Sequence, residues 1–373
     1  MKNKINNYDF LVIGAGLIGS LTALSLLKKK FSVLVIDKNK DIPKDTRTLA
    51  VNANSKDFLK KIGVWNKVKS EPEPIKKIVI KDYINKQPLV FDNPKEEMGN
   101  VIFNRELLII SRKILIKQKL LVEGINIEIE DILPNKKISI KGKKYLFKYI
   151  ILSMGKRYQN NHKIKKFTFP SDHFSHVGFF RHSLKHKQTA FEIFTPEGPL
   201  AVLPSPDRYK KKSTFILSSN KNFSKKKINS LIEKYFNTTH GSIKLENEIN
   251  KFEIIPHLSI NKSNEYILIG DTLKSIHPVA GQGWNLGIKD IQILENILDH
   301  HDLNDPNLLK KYYSYRIIEN TSYLTFTSFL NYIYESKNPL SNLIIKTGFK
   351  ALNKFNFLRR IFIKQAMGRS KLI

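Results

Sequence analysis

Two short apolar runs lie close together near the start of the chain, Tyr8–Ile13 and Ser32–Ile36. Runs of this length, bounded by glycine or an acid, read as buried strands. Between them an apolar stretch from Ile18 to about Lys29 reads as a helix, ending in Lys28-Lys29-Lys30. Strand, glycine turn, helix and strand in that order make a βαβ unit of about 30 residues. Farther on, Ile78-Val-Ile80, Ile125-Asn-Ile-Glu-Ile129 and Phe215-Ile-Leu217 read as strands, and Pro196, Gly198, Pro199, Pro204 and Pro206 punctuate a hairpin-like region. Another apolar strand, Tyr266–Ile269, leads into Gly270-Asp271, a loop, a glycine-rich turn and a helix from about Gly283. The C-terminal region is helical by pattern, with Pro339 placed to start a segment. There, Lys346, Lys350 and Lys354 share one face, beside an apolar surface of Ile345, Phe349, Leu352, Phe355 and Leu358. No internal repeat is visible.

The first glycine turn has a chemistry of its own. Gly14 permits a tight turn, Gly16 leaves room for a pyrophosphate, and Gly19 lets the helix pack close to the strand. The helix N-terminus offers unpaired N–H groups and a positive dipole end to phosphate. Asp37 closes the second strand, where a carboxylate can accept from ribose hydroxyls. An acid there favours an unphosphorylated 2′-OH, as in FAD or NAD, over NADP. This unit alone leaves FAD and NAD both open.

The downstream segment narrows the choice. In Ile269-Gly270-Asp271, a carboxylate follows a buried strand and can accept from a polyol such as ribityl. In His277-Pro278-Val-Ala-Gly281-Gln282-Gly283-Trp284-Asn285-Leu286-Gly287, a glycine-rich turn opens a helix. The N-terminus of that helix can face the ring end of a flavin, where reduction places negative charge.

Together these residues resemble the second FAD signature of the class A flavin aromatic hydroxylases, in the form found in the ubiquinone-biosynthesis hydroxylases. Asp45-x-Arg47-x-x-Ala50 and Asn104-Arg105-Glu106-Leu107 resemble that family's flavin-side arginine segments. Ile62-Gly-Val-Trp65 resembles its Leu-Gly-x-Trp helix end. Phe194-Thr-Pro-Glu-Gly-Pro199-Leu-Ala-Val-Leu203-Pro204 resembles its Gly-Pro strand pair, and Gln365-Ala-Met-Gly368 its C-terminal end.

The resemblance implies an α/β protein with a Rossmann-like FAD-binding domain, an interleaved β-rich substrate domain and C-terminal helices. The FAD domain would come from 1–70, 98–165 and 262–300, the substrate domain from 71–97 and 166–261, and a helical region with possible membrane contact from 301–373. It implies FAD contacts at Gly14, Gly16, Gly19, Asp37, Arg47, Arg105, Gly270, Asp271, Pro278, Gly281, Gln282, Gly283 and Asn285. It places Phe194, Pro199 and Leu203 in a substrate pocket. The implied reaction is hydroxylation of the ring of a polyprenylated phenol by O2 through a C4a-hydroperoxyflavin, in ubiquinone biosynthesis. No nucleophile–base triad is needed for that, and His277 is the one titratable candidate for tuning a proton beside the flavin loop.

Two positions depart from the family pattern. Met154 stands where an Asp is usual before Gly155, and Ile193 where Arg is common. A thioether cannot accept from ribose as a carboxylate does, so NADH or NADPH, the implied electron donor, is in question. A flavoprotein reductase, or a paralogue with impaired turnover, is the alternative on the same fold.

Composition adjusts this picture at the edges. The 373 residues carry 64 Lys+Arg against 33 Asp+Glu, a net charge of +31. Ten of the basic residues are Arg, and the lysines are spread along the whole length. A dispersed excess fits skewed codon usage better than a nucleic-acid stripe, so a basic RNA-associated flavoprotein ranks last and no specific nucleic acid is expected. Lys210-Lys211-Lys212 and Lys225-Lys226-Lys227 read as solvated loops. Cysteine is absent, which excludes disulfides, thiolate metal sites and a thiol nucleophile, and fits a reducing compartment. His162, His173, His176, His182 and His186 cluster loosely but lack ligand spacing with a carboxylate, so no metal is expected. The uncharged run Phe10–Leu27 is 18 residues long but is broken by glycines and followed by a strand, which argues against a membrane span or signal peptide. From Ser336 to Ile373 there are nine basic residues and no acid, which suits an anionic membrane surface. The expected setting is therefore cytoplasmic and peripheral to a bacterial inner membrane, with other ubiquinone-biosynthesis proteins as candidate partners.

Overall fold

The computed structural model describes residues 6–132, 136–156, 158, 163–169, 171–262, 265–278, 281–336 and 338–369. Its helices are α1 (Leu17–Lys28), α2 (Ala53–Lys61), α3 (Asn104–Lys117), α4 (Lys225–His240), α5 (Gly283–His300), α6 (Leu308–Ser336), α7 (Pro339–Lys354) and α8 (Asn356–Ala366).

A parallel sheet carries the first glycine turn. Its strands run in the order Tyr266–Leu268, Lys143–Leu152, Asn6–Ile13, Val33–Asp37 and Leu121–Glu123. Phe10, Leu11, Val12 and Ile13 pair in register with Tyr149 to Leu152 on one side and Val33 to Ile36 on the other. Both faces of these strands are covered, which is why they read as unbroken apolar runs. One face packs Phe10, Val12, Val35 and Ile151 against α1, α3 and α5; the other packs Leu11, Ile13, Leu34 and Ile150 over Ile127, Ile129 and Ile138.

The Ile125–Ile129 segment is not a strand. Gly124 turns the chain at φ +76°, and a reciprocal cap between Glu128 and Asp131 closes a single helical turn at Ile129–Asp131. Ile127 and Ile129 are buried and Ile125 half-buried because the loop tucks under the sheet. The pairing strand lies just upstream, at Leu121–Glu123.

A seven-stranded sheet forms the second layer, in the order Ile243–Glu253, Phe174–His182, Lys212–Ser219, Gly198–Pro204, Thr189–Thr195, Lys77–Asp82 and Leu89–Asp92. Segments far apart in sequence meet here, since Lys77–Asp82 pairs in parallel with Thr189–Thr195. Helix α4 covers one face through Ile228, Leu231, Ile232 and Phe236. Lys225 to Lys227 form its exposed first turn, capped by the Ser224 hydroxyl, and Lys212 opens a strand, so neither lysine run is wholly loop.

The C-terminal helices cover part of the other face. Ile333 and Tyr334 of α6, Ile345 and Phe349 of α7 and Met367 pack with Phe91, Phe194 and Val101. Helix α7 begins at Pro339, with the Asn338 side chain accepting from the Ser341 N–H at 2.7 Å. Among the described residues, no helix is long and apolar enough to cross a membrane.

Candidate functional site

Three parallel strands deliver their C-terminal ends to one place. Gly14 follows Asn6–Ile13, Ser153 follows Lys143–Leu152, and Gly270 lies just past Tyr266–Leu268. Open parallel sheets bind ligands along this edge. The Gly14 N–H donates to Ile36 O at 2.8 Å, and the Ser153 hydroxyl donates to Gly14 O at 2.7 Å. Gly14 has φ +100°, and a Cβ there would stand 2.4 Å from Ser153 O. A Cβ on Gly19 would stand 2.0 Å from Gly14 O, so the α1–strand contact depends on its absence.

The two glycine segments meet through Ile18. Its side chain fills the space that a Cβ on Gly270 or Gly287 would enter, at 3.1 and 2.7 Å. The Gly270 N–H is held by Asp290 Oδ2 at 2.9 Å, and the Gly155 N–H by Thr272 Oγ1 at 3.0 Å.

Glycines at the two helix starts face the opposite situation. A Cβ on Gly16 or on Gly283 would meet nothing within 4 Å. Neither α1 nor α5 has a side-chain N-cap. Among the described residues nothing covers either helix start, as anion or flavin-ring contact requires. Asp37 is buried at the end of its strand and accepts from the Ala15 and Asn39 N–H groups, which fixes its carboxylate beside the first turn. Asp271 is reachable by solvent but lies in a recess, and burial of its surroundings pushes its pKa up against the pull of Lys156, Lys274 and Arg47. The residues present fit an extended dinucleotide such as FAD, with a pyrophosphate place at α1 and a ring-end place at α5.

The other expected contacts divide. Arg47 forms a two-pronged pair with Asp45 at 2.8 and 2.9 Å and lies 4.8 Å over the Phe252 ring. Asn104 bonds to Asp45 as well, and its N–H donates to Arg47 O at 3.0 Å, so the two arginine segments adjoin. Arg105 is exposed at the start of α3. Asn285 is committed elsewhere: its amide donates to Ala50 O at 2.9 Å and accepts from Asn52 N at 3.1 Å, locking α5 to the Thr48–Asn52 strand. Gly281, at φ +59°, closes a turn through its N–H on Pro278 O at 3.0 Å. Met154 turns into the core beneath the sheet, so the usual acid's place offers no carboxylate.

A cavity of ≈470 Å³ opens from the α5 loop into the space between the seven-stranded sheet and the C-terminal helices. Gly281, Gln282 and Asn285 form one end, and the walls are almost wholly apolar. Phe194 and Leu203 line it; Pro199, the register partner of Phe194, is buried but is not among the lining residues. Tyr334 of α6 stacks on Phe194 with centroids 3.8 Å apart and planes 5° apart, and its hydroxyl donates to Asp82 at 3.1 Å. Burial and the Asp82 charge push that phenol's pKa well up. Tyr323 also lines the cavity, accepts from Gln365, and has its pKa pushed up to about 12 by burial. These C-terminal wall residues are invisible to motif reading, because helical periodicity shows only that α6 and α7 bury a face.

His277 is 3% exposed, and among the described residues neither ring nitrogen has a hydrogen-bond partner. Burial, then the neighbouring His173, push its pKa down to about 4, so it is neutral near pH 7. His173 meets it edge-on at 5.7 Å and is itself bonded to Glu335, which holds the His173 pKa up. His277 does not line the cavity. Of the other histidines, His162 lies outside the described residues, and His182 and His186 pack with His240 in a separate cluster. Among the described residues, no group of three or more His, Cys, Asp or Glu side chains could hold a metal.

Beneath the Gly270 turn lies an ion network that motif reading missed. Asp290 accepts from Lys274 Nζ at 2.7 Å and Arg316 Nε at 2.7 Å as well as from Gly270, and Arg316 also pairs with Glu319. Lys274, Asp290 and Arg316 are buried, and burial pushes the Lys274 pKa down to about 8.

Comparison with known proteins agrees with this geometry. A family described as an FAD binding domain matches residues 7–108, and one described as squalene epoxidase matches residues 222–336. The ubiquinone hydroxylase UbiL of Rhodospirillum rubrum is 25% identical over 98% of this chain and 90% of its own length. The 3-demethoxyubiquinol 3-hydroxylase of Escherichia coli is 21% identical over 96% and 98%. The p-nitrophenol 4-monooxygenase PnpA of Pseudomonas putida shares the fold, with a TM-score of 0.74 at 14% identity over 99% of this chain and 100% of that one. Its fold is that of flavin monooxygenases, and its sequence is similar along nearly its whole length to FAD-dependent hydroxylases. The full-length relatives it resembles are ubiquinone hydroxylases.

Proposed function

We propose that the chain hydroxylates the aromatic ring of a polyprenylated phenol in ubiquinone biosynthesis. The observation that carries this reading is the apolar cavity whose inner end is the Gly281–Gln282 turn. An electron-rich ring seated there lies beside the start of α5, while walls such as Phe194 and Leu203 favour an apolar substrate and keep water away. Relatives that act on ubiquinone precursors, and the squalene epoxidase match over 222–336, support a lipid-like substrate.

Bound FAD supplies oxygen activation, and O2 is the co-substrate. The chain's part is to hold and to exclude. The α1 amides take the pyrophosphate, Asp37 the ribose, Asp271 the polyol chain, and Arg47 with Arg105 the flavin side. The open amides at Gly283 stabilise negative charge at the ring end. His277, neutral and buried next to this loop, is the candidate for tuning a proton beside the flavin. Electrons come from NADH or NADPH, with a weakened grip where Met154 replaces an acid. That position also favours a second reading, in which direct nicotinamide reduction is impaired and another donor reduces the flavin. The chain works peripherally at the cytoplasmic face of a bacterial membrane, where such a phenol partitions.

The test is anaerobic mixing of the flavin-loaded protein with NADH or NADPH, followed by O2 and a prenylated phenol. Bleaching of the flavin and a product heavier by one oxygen atom are expected. O2 consumption that yields only peroxide with every prenylated phenol tried overturns the reading.

A further inference from the structure

The cavity does not end inside the protein. Phe326 and Phe329 of α6 line it, yet are 53% and 45% exposed, and Ile344 of α7 lines it at 37% exposure. Phe326 and Phe329 also line a second, open groove of ≈720 Å³ along the outer face of α6, with Ile317, Ile318, Thr321 and Thr325. The two recesses adjoin at this pair of phenylalanines, where the cavity that starts at the Gly281–Gln282 turn comes to the surface of α6.

Surface apolarity continues past the opening. On α7, Leu340 is 66% and Leu343 58% exposed, while Ile345 and Phe349 on the opposite face are buried. The outward strip is therefore not the surface of Ile345, Phe349 and Leu352 that periodicity suggested. Lys346, Lys350 and Lys354, all exposed, run one turn apart along its edge. An apolar strip edged by cations, on a stretch with no acid from Ser336 to Ile373, is complementary to an anionic lipid surface.

We infer that the gap between α6 and α7, framed by Phe326, Phe329 and Ile344, is the portal through which the isoprenoid tail of the substrate leaves the cavity, lies along the α6 groove and runs into an anionic bilayer. The inference rests on the proposed substrate class. The cavity lies in the lower half of the ~300–1,000 Å³ range of small-ligand sites, which suits a ring and the start of a chain. A long tail must leave, and this is where the wall reaches the surface. The substrate then exchanges with the membrane without its apolar tail crossing water.

The absence of cysteine allows a single label. Thr325→Cys, carrying a polarity-sensitive fluorophore on flavin-loaded protein, is mixed with phosphatidylcholine vesicles with and without phosphatidylglycerol, then with octaprenylphenol. A blue shift that requires phosphatidylglycerol, and a further change when octaprenylphenol is added, are expected. In parallel, Ile318→Glu should lower the ratio of kcat/KM for octaprenylphenol in vesicles to kcat/KM for a water-soluble monoprenylphenol by about tenfold. A label that stays water-exposed throughout, or a variant that changes both substrates equally, overturns the portal. If the unmodified protein oxidises neither phenol, the proposed reaction fails, and the label response to vesicles and octaprenylphenol still decides the portal.

Discussion

Arg316 Nε donates to Asp290 Oδ1 at 2.7 Å, with the arginine and the aspartate both fully buried. This contact joins α6 to α5, and the same carboxylate holds the Gly270 N–H, so a C-terminal helix is wired to the Gly270 turn. Removing one partner leaves uncompensated buried charge. Arg316→Met should therefore cost about 3–5 kcal/mol, read as a lower urea midpoint, and should weaken FAD retention at the same time. Unchanged stability would mean that Lys274 alone neutralises Asp290.

The glycines separate into two kinds, and substitution should tell them apart. Gly19→Ala places a Cβ 2.0 Å from Gly14 O and should destabilise the apoprotein itself. Gly16→Ala enters open space, so thermal unfolding of the apoprotein should stay within about 0.5 kcal/mol of the parent. Its FAD affinity should fall by about tenfold or more, a loss of at least ~1.4 kcal/mol, as titration of the flavin absorbance would show.

Acid should loosen the fold in a defined window. His186, His257 and His277 have pKa values pushed down to about 4, and His240 to about 3, in each case chiefly by burial. The unfolded chain binds protons at these sites below the ordinary value of about 6.5 and the folded protein does not. Their contribution is thus intact above that value and declines as pH falls toward 4. Each site loses on the order of 2 kcal/mol between about pH 7 and pH 5. Urea midpoints across that range should fall steeply, and less steeply in His240→Phe. His173 has the opposite sign: Glu335 raises its pKa, so that pair contributes below the ordinary histidine value and is lost as pH rises through the raised one.

Met154→Asp should restore an acceptor at the strand end beside Gly155. If nicotinamide donors act through this edge, the anaerobic rate of flavin reduction by NADH should rise by about tenfold, equivalent to ~1.4 kcal/mol off the barrier. Stopped-flow absorbance reads this directly. No change would favour a different electron donor.

Much of the parallel sheet was legible because its strands are buried on both faces and its turn demands glycine. Tyr8–Ile13 and Ser32–Ile36 differ from the observed strands by a residue or two at the ends. Ile125–Ile129 was misread, since alternation reports burial on one side and a loop tucked under a sheet produces the same signal. The two glycine segments were legible as motifs, but Asn285 shows the limit: its side chain serves the backbone at Ala50 and Asn52, and only the fold reveals that. The cavity was the least legible part. Its walls combine Ile80, Leu203, Tyr334 and Phe349, which no local spacing connects. The buried Lys274–Asp290–Arg316 network was equally hidden, since lysines here are abundant and nothing local marks one that is buried.

The wall formed by α7 and α8 has a consequence for biosynthesis. The glycine turns at Gly14 and Gly283, and the strands that align them, lie upstream of residue 301, whereas Ile345, Phe349 and Phe362 on the far side of the chamber emerge from the ribosome later. A nascent chain thus exposes both glycine turns first, gains the Arg316 anchor of the Gly270 turn with α6, and closes its greasy compartment last.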